Sequence, residues 1–240
     1  MTGTYHPSLD TGLGKRIAKI RQMIDEAARR SGRTGQDVRL IGVSKTVTRA
    51  SVNAAYAAGL KEFGENRVDM ALEKFAENIP DDMILHMIGP LRGENIAAIP
   101  GRFALVHSVD DIEIANTLNR RAEISGVVQP VLVQVNVARE EQKHGTTVED
   151  APRLLEHVLG LSNLDVRGFM TMAPYYAEPE DTRPVFAELR ELATRLQDQY
   201  AEHDLSILSM GMTNDFLVAV EEGSNMVRVG RAIFHAEHAL

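Results

Sequence analysis

The chain has 240 residues, 44% of them hydrophobic and 25% charged, the composition of an ordinary globular protein, which excludes the disordered and fibrous classes. Its 26 lysines and arginines against 34 aspartates and glutamates give a net charge of -8, an acidic balance that argues against holding nucleic acid or anionic lipid by bulk electrostatics and leaves room only for a local anion site. With no cysteine, disulfides, thiolate metal sites, iron–sulfur clusters and cysteine nucleophiles all drop out.

The amino terminus lacks the apolar core of a signal peptide and no run of about 18 apolar residues occurs, so a cytoplasmic, unprocessed protein is expected. The first patterned segment, 15–30, sets Ile17, Ile20, Ile24 and Ala27/Ala28 at helical spacing among charged residues and closes at Ser31-Gly32. Beyond it the period changes. Strands are predicted at 38–43, 62–64, 83–88, 104–109, 131–137, 166–172, 205–209 and 226–229. Helices are predicted at 49–59, 67–78, 93–99, 110–125, 148–161, 183–200 and 214–222, with a short one at the carboxyl end.

Strands that alternate with helices lie parallel. Val131-Leu132-Val133-Gln134-Val135 is apolar almost throughout, as in a strand covered on both faces. Residues 38–240 provide roughly 25 per unit, a size that suits a closed (β/α)8 TIM barrel. The alternative is a doubly wound open sheet, which usually carries a glycine-rich first turn; here that turn is Ser44-Lys45-Thr46. One domain spanning 1–240 is expected, with a leading segment and extra N-terminal helix over 1–37 and eight βα units over 38–240.

A barrel of this kind carries its site at the carboxyl ends of the strands. Lys45 follows the apolar run Leu40-Ile41-Gly42-Val43, where a desolvated amine beside other cations would lose its proton and attack an aldehyde; the ordinary alternative is a lysine reaching back to water. Ser209-Met210-Gly211-Met212-Thr213 and Gly230 fall in the loops after strands seven and eight, the recurrent phosphate site of the fold. There glycine backbone N–H groups and the Ser209 and Thr213 hydroxyls would meet an anion, or the glycines would only permit tight turns while the methionines fill core. Arg228 sits inside Met226-Val227-Arg228-Val229, either salt-bridged, for instance to Glu65, or aimed at a ligand's ring nitrogen or anionic group. A lysine for an aldehyde, a phosphate cradle and an arginine for a pyridine nitrogen are together the parts that hold pyridoxal 5′-phosphate (PLP). His86 and His107 would line the mouth and shuttle protons, or lie hydrogen-bonded inside the barrel. His235 and His238 have no third ligand with them, so a metal site is not expected.

The motifs then fall in a recognisable order: Ile41-Gly42-Val43-Ser44-Lys45-Thr46, Phe63-Gly64-Glu65-Asn66, His86-Met87-Ile88-Gly89, His107-Ser108-Val109-Asp110 and Gln134-Val135-Asn136 with Lys143 and Gly145. Arg167-Gly168-Phe169-Met170-Thr171-Met172, Ser209-Met210-Gly211-Met212-Thr213 and Val227-Arg228-Val229-Gly230 complete the series. In this the chain resembles the pyridoxal phosphate homeostasis protein family, the YggS- or PROSC-like proteins, whose barrel is shared with the N-terminal domain of alanine racemases. The resemblance implies that Lys45 forms the internal aldimine, a Schiff base. It implies that Ser209, Met210, Gly230 and Arg231 contact the phosphate, partly through backbone N–H groups. It sets Arg228 at the pyridine nitrogen and Asn66 with Met172 or Thr171 near the ring. The chain departs from the family pattern around Leu85 and Asn95, where a usual Trp and Lys are lost, at Arg67 for a usual Tyr, at Arg231 for a usual Thr, and at His235 for a common Gly.

Arginine at the pyridine nitrogen disfavours its protonation and weakens the cofactor as an electron sink. The expected function is therefore PLP binding in the service of intracellular vitamin B6 homeostasis, without robust catalysis, with PLP-dependent apoenzymes as possible recipients and a monomer expected. A racemase-like enzyme is the alternative; it needs a second acid/base, for which Tyr175 and Tyr176 are the nearest candidates, and 240 residues suit the barrel but not the further domain of a racemase. A barrel enzyme acting on a phosphorylated metabolite without a cofactor would use the same phosphate loops.

Overall fold

The computed structural model describes residues 12–76, 79–140, 142–175, 178–238 and 240; the leading residues 1–11, Asn78 at the predicted end of a helix, and Tyr176 lie outside them. The isoleucine and alanine stripe of the leading segment forms helix α1 (Gly12–Arg30), with Ile17, Ile20, Ile24, Ala27 and Ala28 buried. In chain order follow β1 (Arg39–Val43), α2 (Arg49–Ala57), β2 (Glu62–Glu65), α3 (Val68–Lys74), β3 (Ile84–Met87), β4 (Leu105–Val109) and α4 (Ile112–Ser125). Then come β5 (Gln129–Gln134), α5 (Ala151–Leu159), β6 (Leu164–Met170), α6 (Arg183–Gln199), β7 (Ile207–Ser209), α7 (Phe216–Glu221), β8 (Met226–Val229) and α8 (Arg231–Phe234).

The strands close in sequence order from β1 to β8. β8 pairs in parallel with β1, Arg39 opposite Met226 and Gly42 opposite Val229, and this closure is what separates the barrel from a doubly wound open sheet. Side chains alternate across each strand. Ile41, Leu105, Leu132, Met170 and Met226 pack together inside, while their neighbours Phe63, Val106, Phe169 and Val227 join the larger core beneath the helices. α1 covers the outer face near the carboxyl end of the chain, where Arg16 Nε donates to the carbonyl of Ile233 at 2.7 Å. No helix among the described residues is long and apolar enough to cross a membrane.

Several elements differ from the sequence reading: β6 runs Leu164–Met170 where 166–172 was expected, and α3 ends at Lys74. The segment expected as a helix at 93–99 is a 3-10 helix, Gly93–Ala98, because Pro100 restricts the residue before it and leaves a stretch too short for α-helical nucleation. β5 begins two residues early, at Gln129, whose buried side-chain amide donates to the carbonyl of Phe103 at 2.9 Å. It also ends early: the Asn136 N–H turns away from the barrel to the carbonyl of Thr146 at 2.8 Å, and Lys143 comes to the cavity wall.

Candidate functional site

A cavity of about 390 Å³ opens at the carboxyl ends of the strands, within the size range of small-molecule sites. β1 and the turn after it supply Val43 and Lys45, the loop after β2 supplies Asn66, and the loop after β6 supplies Met172 and Tyr175. Met212 to Asp215 after β7, and Arg228, Gly230 and Arg231 around the end of β8, complete most of the wall. Because β8 is hydrogen-bonded to β1, with Arg228 level with Ile41, the two ends of the sequence-derived site become neighbours.

Strand alternation sets Arg39, Ile41 and Val43 on the inner side of β1, and the turn after it brings Lys45 to the cavity. The desolvation expected of it is not found, since Lys45 remains exposed at the mouth. Its base is nevertheless clamped from outside the barrel. The Ser44 carbonyl accepts from Lys74 Nζ at 2.7 Å, the Ser44 hydroxyl donates to Glu65 Oε1 at 2.7 Å, and Lys74 pairs with that same oxygen at 2.7 Å. Lys74 and Glu65 are both nearly water-free. Asn66 is fixed by a close approach of two loops: a Cβ on Gly89 would lie 2.1 Å from the Asn66 carbonyl oxygen, so only glycine permits the contact.

Arg228 is 4% exposed. It donates to Ser209 Oγ at 2.6 Å and to the Thr171 carbonyl at 2.9 Å. The salt bridge to Glu65 does not form, because Glu65 lies on the outer face of β2 with Phe63, bound to Ser44 and Lys74. Burial pushes the Arg228 guanidinium down to about 10, with the nearby Asp215 carboxylate opposing, so it stays charged at neutral pH.

Five other residues named in the sequence reading lie off the cavity wall. Ser209 and Met210 are fully buried and do not line the cavity: the Ser209 side chain faces the barrel interior below it, and the Met210 side chain alternates outward into the helix-covered core. Thr171 likewise turns its hydroxyl to the Val135 carbonyl at 2.7 Å, leaving Met172 as the residue at the wall. Gly230 and Arg231 are at the wall, and Arg231 donates to Asn214 Oδ1 at 3.2 Å. His86 and His107 lie buried inside the barrel, hydrogen-bonded to each other, and not at its mouth.

The loop after β7 is shaped by Gly211, whose φ of 95° and missing side chain are both required: a Cβ there would meet that of Ala219 at 2.6 Å. Beyond it Asp215 accepts from the Met212 N–H at 2.5 Å, a turn that presents Thr213 and Asn214 to the cavity. Burial raises the Asp215 carboxyl, with that N–H bond and Arg228 opposing. Asp215 and Lys143, which is ion-paired with Glu140, are wall residues that sequence reasoning did not assign. The only signals were an acidic residue directly before α7 and a lysine in the motif after β5. Tyr175 lines the cavity but is 77% exposed.

Residues 16–238 match the family model described as the N-terminal domain of alanine racemase. The chain is 40% identical over 220 residues to the pyridoxal phosphate homeostasis protein of Aquifex aeolicus, with 92% of this chain and 96% of that one covered. It is 40% identical over 224 residues to the protein of the same name from Pseudomonas aeruginosa, with 93% and 95% covered. Among solved structures, PipY of Synechococcus elongatus PCC7942 matches with a TM-score of 0.83 without PLP and 0.81 with PLP bound, at 33% and 32% identity. Both matches cover 92% of this chain and 99% of PipY. Alanine racemase of Clostridium difficile shares the fold, with a TM-score of 0.73 at 15% identity over 94% of this chain and 62% of that one.

Proposed function

The chain belongs to the pyridoxal phosphate homeostasis protein family, and from that premise we propose that it binds pyridoxal 5′-phosphate in the barrel-mouth cavity and serves cytoplasmic homeostasis of that cofactor, without robust turnover of its own. The residues present fit the group. The cavity is of ligand size, and its donors include the Lys45 amine, the Arg228 and Arg231 guanidinium groups and the Thr213 hydroxyl, the chemistry an aldehyde-bearing pyridine phosphate requires. When bound, pyridoxal phosphate supplies an amine-reactive aldehyde on an electron-withdrawing ring.

Lys45, exposed at the mouth and anchored through Ser44, offers the amine. Arg231, the Thr213 hydroxyl and the backbone at Gly230 hold the phosphate, with the exposed guanidinium giving charge-assisted hydrogen bonds. Arg228 meets the ring nitrogen as a fixed cationic donor, and Asn66 and Met172 flank the ring. A guanidinium in that place keeps the nitrogen unprotonated, which favours holding and releasing the cofactor over catalysis with it. The same reading has the protein acting as a monomer that passes the cofactor to PLP-dependent apoenzymes.

The observation that carries the proposal is the closure of β8 on β1, which brings Lys45, Arg228, Gly230 and Arg231 around one cavity. Absorbance spectra after incubation with PLP and desalting test it. The wild-type protein is expected to retain a visible chromophore and Lys45→Ala to lose it; an undiminished chromophore in the variant contradicts the assignment. The presence of Tyr175 at the cavity supports a racemase-like enzyme as the second reading. Steady racemisation of alanine that disappears in Lys45→Ala would favour it over a carrier.

A further inference from the structure

A line of hydrogen bonds runs through the barrel interior from its amino-terminal floor to the cavity. Arg39 Nε donates to Glu62 Oε1 at 2.9 Å, and Glu62 Oε2 lies 3.0 Å from His86 Nε2. His86 Nδ1 lies 3.1 Å from His107 Nε2, and His107 Nδ1 lies 2.9 Å from Ser209 Oγ, the atom that accepts from Arg228 at 2.6 Å. The members come from β1, β2, β3, β4, β7 and β8, all on the inner face. Barrel interiors are normally filled by layers of branched aliphatic side chains. Polar groups there are costly unless every donor and acceptor is used.

The two ends fix the direction of the line. A guanidinium can only donate. Burial would raise the Glu62 carboxyl, but hydrogen bonds from His86 and Arg39 outweigh it and hold the group below its usual value, so it is ionised and can only accept. Between these ends one proton order satisfies every group. Ser209 donates its hydroxyl proton to His107 Nδ1, His107 donates from Nε2 to His86 Nδ1, and His86 donates from Nε2 to Glu62. The opposite order leaves a buried serine proton without an acceptor and points an imidazole lone pair at a carboxylate. A doubly protonated histidine is also disfavoured: burial pushes both imidazoles down, His107 the further because His86, Arg228 and Arg39 add to it.

We propose that Glu62, His86, His107 and Ser209 are positioning residues for Arg228: a relay of fixed polarity, with both histidines neutral and protonated on Nε2, that anchors one N–H of the guanidinium while the Thr171 carbonyl anchors another. Ser209, by giving its own proton to His107, becomes a stronger acceptor for Arg228. The remaining donors of Arg228 are thereby left aimed at the cavity, where the sequence reading had set Ser209 itself against the phosphate. The consequence at the cofactor rests on the reading of Arg228 given above, whereas the proton order does not.

Two measurements decide it. Nitrogen–proton correlation spectra of the histidine side chains in ligand-free wild-type protein are expected to show His86 and His107 as neutral Nε2–H tautomers throughout pH 6 to 8; an Nδ1–H tautomer, or titration of either ring in that range, overturns the relay. With PLP loaded, Ser209→Ala is expected to shift the absorption maximum of the bound cofactor and weaken its retention roughly tenfold, about one lost hydrogen bond to a charged group, and Ser209→Thr, which keeps the hydroxyl, is expected to restore both. An unchanged spectrum in a folded Ser209→Ala protein overturns the positioning role. If the wild-type protein takes up no PLP, the proposed function fails, and the histidine spectra still decide the relay.

Discussion

At the scale of single residues, the site depends on groups that never reach the cavity. Lys45 is held through Ser44, and Ser44 through a buried Lys74–Glu65 pair whose second carboxylate oxygen, Glu65 Oε2, has no hydrogen-bond partner among the described residues. Replacing Lys74 with Met therefore leaves a buried carboxylate supported only by the Ser44 hydroxyl. We expect a loss of about 3 kcal/mol in urea unfolding, with most of it regained when Glu65→Gln is added, because the uncompensated charge is then gone. A double variant as unstable as the single one would contradict this. Glu65 also shows what was open to reading in the sequence. It was weighed as the partner of Arg228, yet two places before it Phe63 is apolar and core-facing; period-two alternation sends Glu65 outward with Phe63, away from the interior where Arg228 lies. The true partner, Ser209, depends on the stagger between strands, which no local pattern encodes.

At the scale of elements, hydrophobic periodicity carried most of the information. The isoleucine stripe of α1 and the eight apolar runs are strong patterns, and each becomes the element expected of it. Two of the misses lie where a local feature interrupts a pattern, at the proline after the 3-10 segment Gly93–Ala98 and at Asn136, where the chain leaves the barrel. The loop after β7 was legible as a glycine-and-hydroxyl stretch. Which of its residues face the cavity was not, because that follows from the turn at Gly211, with its φ of 95°. Gly211→Ala would introduce both left-handed strain and a contact with Ala219 and the Phe216 backbone. The expected outcome is a destabilisation of about 2 kcal/mol, with weaker PLP retention because Thr213 and Asn214 move with the loop. Full stability in this variant, measured by chemical denaturation, would show the turn to be unstrained.

At the scale of the whole molecule, a chain of net charge -8 gathers Lys45, Lys143, Arg228 and Arg231 around one cavity, with Glu140 and Asp215 offsetting two of them. The interior relay also ties global stability to pH. Burial depresses both His86 and His107 below 6.5. Above that value neither the folded nor the unfolded chain protonates them; below it the unfolded chain binds protons that the folded chain refuses, so stability falls with pH. The slope is roughly 1.4 kcal/mol per pH unit for each histidine still neutral. Asp110 and Asp215, both raised by burial, act in the opposite sense within the carboxylate range. The urea midpoint is expected to drop between pH 7.5 and 5.5, and a midpoint constant over that interval would mean that the histidines are not buried as neutral rings.

The central claim is that this barrel holds pyridoxal phosphate through Lys45. Borohydride reduction of the PLP-loaded protein followed by peptide mapping tests it most directly, since it reads the attachment point and not merely uptake. The expected result is a single pyridoxyl modification on Lys45 with Lys143 unmodified. Modification at Lys143 or at scattered surface lysines, with Lys45 free, would contradict the account.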